Sequence, residues 1–202
     1  MKLYYLPGAC SLASHISLIE AGIPHQAFAV DRVTKRTADG LDFLSFNPKG
    51  YVPALVLDGG EVLTESPALL PYIGAMNPAS KLVPAPGTLG CFRVSEWCTY
   101  LNSEVHKALG PIFRPDTPED QKAKQREMAT QRLKLVEAAL ADRPFMMGED
   151  FTVADAYLYV ILSWTPRTGL DLSQLPRLAD FLARVSQRPS VIAARKDEGL
   201  PV

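Results

Sequence analysis

Cys10 lies at the point where an apolar segment ends and a helix is predicted to begin. The segment KLYYL at 2–6 is typical of a strand, Pro7-Gly8 ends it, and the helix should start near Ser11. A free thiol has a pKa of about 8.5 and is mostly protonated near neutrality. A helix N-terminus offers unpaired backbone N–H groups and the positive end of the helix dipole, and both favour an anion. The position therefore predicts either a reactive thiolate or a small apolar side chain that fills the first helical turn.

The sequence around Cys10 has one thiol where thioredoxin-like proteins place two. Their Cys-x-x-Cys motif occupies this strand-to-helix turn, but here Ala13 replaces the second cysteine. No disulfide can close inside such a site, which disfavours a two-cysteine reductase and leaves contact or a mixed disulfide with an external thiol. Cys91 and Cys98 are spaced for one helical face, which predicts packing. So few cysteines, odd in number, favour a reducing, cytoplasmic setting.

Two further motifs fall where a ligand could meet free backbone groups. Val52-Pro53 precedes a predicted strand; a cis bond would turn the Val52 N–H and C=O outward to pair with an extended peptide, whereas a trans-proline would merely begin an edge strand. Glu65-Ser66 ends a strand and begins a helix with Pro67 in its first turn. Ser66 could hold a ligand carboxylate and Glu65 a ligand amine. Alternatively, the two residues serve only the helix, as cap and dipole partner.

In the second half of the chain, Ser103 and His106 are three residues apart on a predicted helix and should share a face. Such a histidine is either an ordinary packed or solvated side chain or a group that faces a reacting centre. No cluster of His, Cys, Asp and Glu has metal-ligand spacing, so no metal is expected. The motifs of serine hydrolases, P-loop nucleotidases and dinucleotide-binding proteins are also absent from the sequence.

The first third of the 202-residue chain predicts the elements that position these residues. A strand, a helix over about 11–21 and a strand over 27–30 form a β-α-β unit. Residues 54–57 and 61–63 form a hairpin around a Gly-containing turn, and a helix follows from Ser66. The two units together predict a four-stranded mixed sheet flanked by helices.

After the sheet, the pattern changes to a linker and then to helices. The linker, 78–87, is rich in proline and small residues and separates a domain of 1–77 from one of 88–202. The second domain is predicted to be all-helical, with helices over about 89–109, 117–141 and 152–164 and from Pro176 and Pro189. Thr117 should cap the second of these helices, and Thr152 should form a capping box with Asp155.

The composition disfavours some classes of function. Apolar residues make up 47% of the chain and charged residues 21%, which is typical of an ordinary globular protein. The formal charge of -1 and the lack of like-charge blocks disfavour a nucleic-acid partner. No apolar run approaches the roughly 18 residues of a membrane span, and no signal peptide is visible. We therefore expect neither a nucleic-acid nor a membrane partner.

Segments along nearly the whole chain together resemble one family, the bacterial beta-class glutathione S-transferases. These segments are MKLYY (1–5), PGACSL (7–12), NPKGYVPAL (47–55), LTES (63–66), EW (96–97), NSEVHK (102–107) and FTVADAYL (151–158). The resemblance implies an α/β thioredoxin-like N-terminal domain and an all-α C-terminal domain. It also implies a cytoplasmic, homodimeric enzyme of detoxification.

The resemblance implies that glutathione is the co-substrate, with Cys10 beside its sulfur as a hydrogen-bonding partner or in a mixed disulfide. Val52, next to a cis-Pro53, would pair through its backbone with the cysteinyl part of glutathione. Glu65 would bind the amine of the γ-glutamyl residue of glutathione, and Ser66 would bind its carboxylate.

The remaining site residues implied by the resemblance lie on both domains. Lys35 would approach the glycyl carboxylate, and Ser103 and His106 would complete the site near the thiol. Glu104 would reach across a two-fold interface toward the neighbouring site. Thr99 departs from the family pattern, in which an asparagine often binds near the sulfur, and its shorter side chain puts that contact in doubt.

The predicted reaction is attack of the glutathione thiolate, held by the helix N-terminus, Cys10 and His106, on a hydrophobic electrophile. Leu109, Phe113 and Trp164 are the predicted lining of the electrophile pocket. One alternative is a glutathione-dependent thiol-disulfide reductase or dehalogenase in which Cys10 is the nucleophile. A second alternative is a non-catalytic protein that binds hydrophobic ligands.

Overall fold

The computed structural model describes residues Met1 to Val202 and contains one sheet, in the N-terminal part of the chain. Its strands are β1 (Lys2–Tyr5), β2 (Gln26–Ala29), β3 (Ala54–Val56) and β4 (Val62–Thr64), in the order β2-β1-β3-β4. β1 and β2 are parallel, and the other two pairs are antiparallel. The parallel pair needs a crossover, which α1 (Ser11–Glu20) supplies, and α2 (Ser66–Met76) follows β4. The predicted four-stranded mixed sheet of a thioredoxin-like domain is confirmed.

Only helices and short turns follow the sheet, as predicted for an all-helical domain. They are α3 (Leu89–Tyr100), a π-helical turn (Leu101–His106), α4 (Lys107–Leu109), α5 (Glu119–Ala139), α6 (Val153–Leu162), α7 (Thr165–Thr168), α8 (Pro176–Ser186) and α9 (Pro189–Asp197). Thr117 does not cap α5, because Pro118 has an extended ψ of 147° and itself precedes the first helical residue. No helix combines the length and the apolar character that a membrane crossing needs.

Helix α6 forms the centre of the molecule, and all ten of its residues are buried. It packs against α1 from the sheet domain and against α3 and α8, so one apolar core joins the two domains. The predicted capping box at its start is confirmed. Asp155 accepts hydrogen bonds from the N–H and the hydroxyl of Thr152, each at 2.8 Å, and from the Met146 N–H at 2.7 Å.

Two further packing features lie in α2 and α3. Pro71 lies inside α2, which continues through it to Met76; the proline lacks the N–H that would bond to Pro67 C=O. Cys98 is fully buried in the core, and Cys91 packs against the same core from a half-buried position. The packing role predicted for this cysteine pair is confirmed.

Candidate active site

A cleft of about 850 Å³ lies between the end of the sheet and the helical domain. Its walls are formed by the β1–α1 loop, the segment before β3, the β4–α2 junction, the π-helical turn and the start of α7. Nine of the predicted site residues line it: Cys10, Lys35, Val52, Pro53, Glu65, Ser66, His106, Phe113 and Trp164. Residues distant in sequence, from both domains, therefore meet at one concave surface.

Cys10 stands at the N-cap of α1, and its thiol donates to the Val52 C=O at 3.4 Å. The backbone N–H groups of Cys10 and Ser11 lower the pKa of this thiol, as expected at a helix N-terminus, but burial has the larger effect and raises the pKa to about 11. The thiol is therefore protonated at neutral pH. Desolvation of the anion outweighs the nearby N–H groups, which favours a protonated thiol over the reactive thiolate among the two interpretations of this position. The role of Cys10 toward glutathione stays a prediction.

The segment before β3 offers an unused backbone donor. The Val52–Pro53 bond is cis. The Val52 C=O accepts from the Cys10 thiol, but the Val52 N–H donates to no group of the protein. Asn47 steadies the segment by donating through Nδ2 to the Tyr51 C=O at 2.8 Å. A ligand in the cleft can therefore meet a free N–H beside the thiol of Cys10.

The β4–α2 junction combines backbone strain with a free helix N-terminus. Glu65 has a φ of +69°, and a non-glycine residue in that region carries about 1–3 kcal/mol of strain. Ser66 begins α2, is buried, and keeps its N–H without a protein acceptor. Lys49 Nζ donates to Glu65 Oε1 and Thr64 Oγ1, both at 2.9 Å. The junction thus presents a carboxylate, an ammonium group and a free helix N-terminus, which suit a ligand with both an amine and a carboxylate.

Lys35 reaches the cleft from the loop after β2. Its backbone is left-handed, with a φ of +57°, and its Nζ donates to the Gly50 C=O at 3.0 Å. This bond ties the lysine to the segment that carries Val52. The ammonium group keeps two further protons for an anionic ligand.

On the helical wall, His106 belongs to a chain of hydrogen bonds with Tyr157 and Asn102. The Tyr157 hydroxyl donates to Asn102 Oδ1 at 2.9 Å, and its oxygen lies 2.9 Å from His106 Nδ1. Because the hydroxyl proton is used for Asn102, His106 Nδ1 must be the donor to Tyr157, and Nε2 carries the lone pair. Burial lowers the pKa of His106 to about 4, so the ring is neutral at pH 7.

The π-helical turn explains which helical residues reach the cleft. Hydrogen bonds in a π-helix run from i to i+5, so residues four or five apart share a face rather than residues three apart. Asn102 accordingly lines the cleft with His106, while Ser103 is exposed and does not. The predicted pairing of Ser103 with His106 on one face is wrong for this reason.

Other predicted residues lie away from the cleft. Leu109 is fully buried in the core and does not line the pocket, and α4, which carries it, packs against α5. Glu104 forms an ion pair with Arg132 of the same chain at 2.9 Å. Thr99 is exposed and outside the cleft. No group of three or more His, Cys, Asp or Glu side chains is placed to hold a metal ion.

Asn102 and Tyr157 were missed by sequence reasoning. Asn102 belongs to the NSEVHK segment and lies four residues before His106, a spacing that a search for helical neighbours could have used. Tyr157 is 51 residues from His106, and only the packing of α6 against the π-helical turn brings them together.

A mixed thioredoxin-like sheet, a thiol at the first helix N-terminus beside a cis-proline, and an all-helical second domain define the glutathione transferase class of proteins. The chain matches the family models for the glutathione S-transferase N-terminal domain over residues 8–76 and the C-terminal domain over residues 100–189. It is 42% identical over 200 residues to glutathione S-transferase GstA of Escherichia coli O157:H7, covering 99% of this chain and 100% of the relative.

Solved structures agree with this assignment. A sphingomonad glutathione S-transferase complexed with glutathione has a TM-score of 0.95 and 47% identity, with 100% of both chains covered. The beta-class glutathione S-transferase of Sphingomonas chungbukensis has a TM-score of 0.95 and 44% identity, again with 100% of both chains covered. The chain belongs to the glutathione S-transferase family, resembles its bacterial beta-class members, and is a glutathione S-transferase enzyme.

Proposed function

We propose that glutathione binds along the sheet-domain wall of the cleft and that its thiolate attacks an electrophile held on the helical wall. The observation that carries this proposal is the convergence on one cleft of two unused N–H donors, those of Val52 and Ser66, and the thiol of Cys10. These groups match an extended tripeptide with a sulfur at its centre and a carboxylate at each end.

Each part of glutathione has a partner of suitable chemistry. The γ-glutamyl carboxylate meets Ser66 at the N-terminus of α2, and the γ-glutamyl amine meets Glu65. The cysteinyl backbone pairs with the Val52 N–H. The glycyl carboxylate meets Lys35. Binding at both ends fixes the sulfur near the start of α1, which supplies proximity to the second substrate.

The thiolate is stabilised by donors that are in place before the reaction. Since Cys10 is protonated at neutral pH, it can turn its S–H from the Val52 C=O to the glutathione sulfur. Before ionisation, the glutathione S–H donates to the Nε2 lone pair of His106, which orients the sulfur. Because burial lowers the pKa of His106 to about 4, the ring does not keep the proton, which leaves to water in the open cleft. The thiolate is then stabilised by the Cys10 S–H. The sulfur then forms a bond to the electrophilic carbon, and the leaving group departs with its electron pair.

The protonated state of Cys10 argues against the alternative in which this residue is itself the nucleophile of a thiol-disulfide reductase or dehalogenase. The assembled donors argue against the non-catalytic alternative, because buried donors without partners cost stability and have no role in the core. A homodimer is supported by two apolar side chains on α3, Leu89 and Phe92, which are 70% and 64% exposed. We retain cytoplasmic detoxification as the expected biological setting.

The experiment is steady-state conjugation of glutathione to chlorodinitrobenzene, with glutathione affinity measured alongside. We expect Cys10→Ala and His106→Ala to lower kcat/KM by about tenfold, because the first removes a donor to the thiolate and the second removes the acceptor that orients the thiol. The controls are Cys91→Ala and His25→Ala, which change the same residue types outside the cleft. Absence of glutathione binding to the wild type, or equal losses in variants and controls, would contradict the proposed site.

A further inference from the structure

The cleft carries an excess of positive charge. Six cationic side chains line it: Arg32, Lys35, Lys49, Lys107, Arg114 and Arg167. The only carboxylate in the lining is that of Glu65. The neutral ring of His106 adds no charge at pH 7. A cleft for a merely hydrophobic second substrate needs no such excess.

Glutathione accounts for only part of this charge. Lys35 and Lys49 lie on the sheet-domain wall, where each already contacts the glutathione-binding segments, at Gly50 and Glu65 respectively. Arg32 lies in the same loop as Lys35. These three cations are placed for the two carboxylates of glutathione.

The other three cations, Lys107, Arg114 and Arg167, stand on the helical wall. None of them forms an ion pair with an acidic side chain of the protein. By contrast, Arg126, Arg132 and most other arginines of this domain are paired. The helical wall therefore holds charge that glutathione does not neutralise.

These cations border an aromatic surface. The rings of His106 and Trp164 have centroids 4.8 Å apart, and Phe113 meets Trp164 edge-on at 5.5 Å. The Arg167 guanidinium lies 5.1 Å from the centre of the Phe113 ring. Lys107 and Arg114 directly follow His106 and Phe113 in sequence. Contacts along this wall thus run from the His106 ring through Trp164 and Phe113 to the guanidinium of Arg167.

We infer that the second substrate of this enzyme is an aromatic or similarly flat electrophile that carries an acidic group, such as a carboxylate or a sulfonate. This inference rests on the proposed function, since it concerns the electrophile that the glutathione thiolate attacks. The apolar part lies on Trp164 and Phe113, and the acidic group meets Arg114 and Arg167, which can bind an oxyanion through two N–H groups at once. In the reaction, the C–S bond forms, the leaving group departs with its electron pair, and the acidic group is unchanged.

The test compares two electrophiles that differ in charge alone: chlorodinitrobenzoate and its uncharged carboxamide. For each, kcat/KM is divided by the rate of the uncatalysed reaction with glutathione, which removes differences in intrinsic reactivity. We expect the benzoate to be preferred by about tenfold, chiefly through a lower KM, and the preference to shrink at high salt. The double variant R114Q/R167Q should lose the preference while keeping turnover of the carboxamide. R36Q removes an exposed, unpaired arginine outside the cleft and should keep the preference.

Binding provides a second readout that needs no chemistry. In a Trp97→Phe background, where Trp164 is the single tryptophan, quenching of fluorescence by unreactive dinitrobenzoate and dinitrobenzamide measures the same charge preference in the cleft. Preferred binding of the benzoate without any conjugation would support the acidic-substrate inference and refute the proposed transferase site. Equal kcat/KM and equal binding for the acid and the amide, or a preference that survives in R114Q/R167Q, would overturn the inference even if conjugation is fast.

Discussion

Replacing Tyr157 by phenylalanine removes one buried hydroxyl that holds both His106 and Asn102, each at 2.9 Å. Burial raises the pKa of Tyr157 well above its ordinary value, so in the wild type the hydroxyl keeps its proton for Asn102 at any ordinary pH. Its oxygen therefore remains the acceptor for His106 Nδ1–H. This arrangement leaves the Nε2 lone pair of His106 toward the cleft.

The expected size of the effect follows from the two hydrogen bonds. Leaving a buried donor without an acceptor costs about 1–3 kcal/mol. Asn102 lines the cleft and can bond to water instead, so the loss of stability should come mainly from His106. Freed of its partner, the imidazole can rotate and exchange its proton between the two nitrogens. We expect kcat to fall about tenfold, which corresponds to about 1.4 kcal/mol.

The assay is steady-state conjugation of chlorodinitrobenzene, with unfolding in urea to measure stability. The KM for glutathione should change less than kcat, because the N–H groups of Val52 and Ser66 are unchanged and, of these two residues, the Tyr157 hydroxyl meets only the side chain of Ser66. Tyr159→Phe is the matched control: Tyr159 is also buried on α6, but its hydroxyl contacts Arg195, outside the cleft. A kcat of Tyr157→Phe within twofold of the wild type, or an equal loss in Tyr159→Phe, would refute the role of this hydrogen-bond chain.

Three further predictions concern Cys10, His106 and Asp155. Because the pKa of Cys10 is about 11, its alkylation by iodoacetamide should accelerate about tenfold per pH unit from pH 7 to 9; a plateau near pH 8 would contradict this. Burial lowers the pKa of His106 from 6.5 to about 4, so the folded state binds fewer protons than the unfolded state between these values, and stability is lost as the pH falls through this window. His106→Gln should lack this pH-dependent part of the free energy of unfolding, which is up to about 3 kcal/mol by urea unfolding. If the variant loses as much stability as the wild type when the pH falls, His106 is not the group responsible. Asp155→Ala removes the acceptor of three buried hydrogen bonds and should cost about 3 kcal/mol or more; an unchanged Tm would contradict the role of the capping box.

Much of the fold could be predicted because its signals are local. Pro7-Gly8 ends β1, Pro53 precedes β3, and Thr152 with Asp155 starts α6, and each of these depends on residues a few positions apart. The order of the elements then restricts the sheet to a few arrangements, since a parallel pair needs a crossover helix.

The site was less predictable where its properties depend on packing. The thiol of Cys10 has the expected position but a raised pKa, because burial depends on side chains from distant elements. Asn102 lines the cleft instead of Ser103 because the π-helical turn, which local propensity does not signal, changes which residues share a face with His106. Leu109 has the polarity of a pocket residue, yet α4 turns it into the core. Sequence patterns thus indicate which residue types lie near the cleft, whereas packing decides their protonation state and whether their side chains face the cleft or the core.

The central claim is that the cleft holds glutathione as its thiolate. The most direct test is the ultraviolet absorbance of the thiolate as a function of pH for glutathione bound to the wild-type enzyme, with the complex of S-methylglutathione as the blank. The account predicts that the bound thiol has a pKa at least about one unit below the value of about 8.5 for a free thiol. A bound thiol that titrates like free glutathione, or no bound glutathione at all, would contradict it.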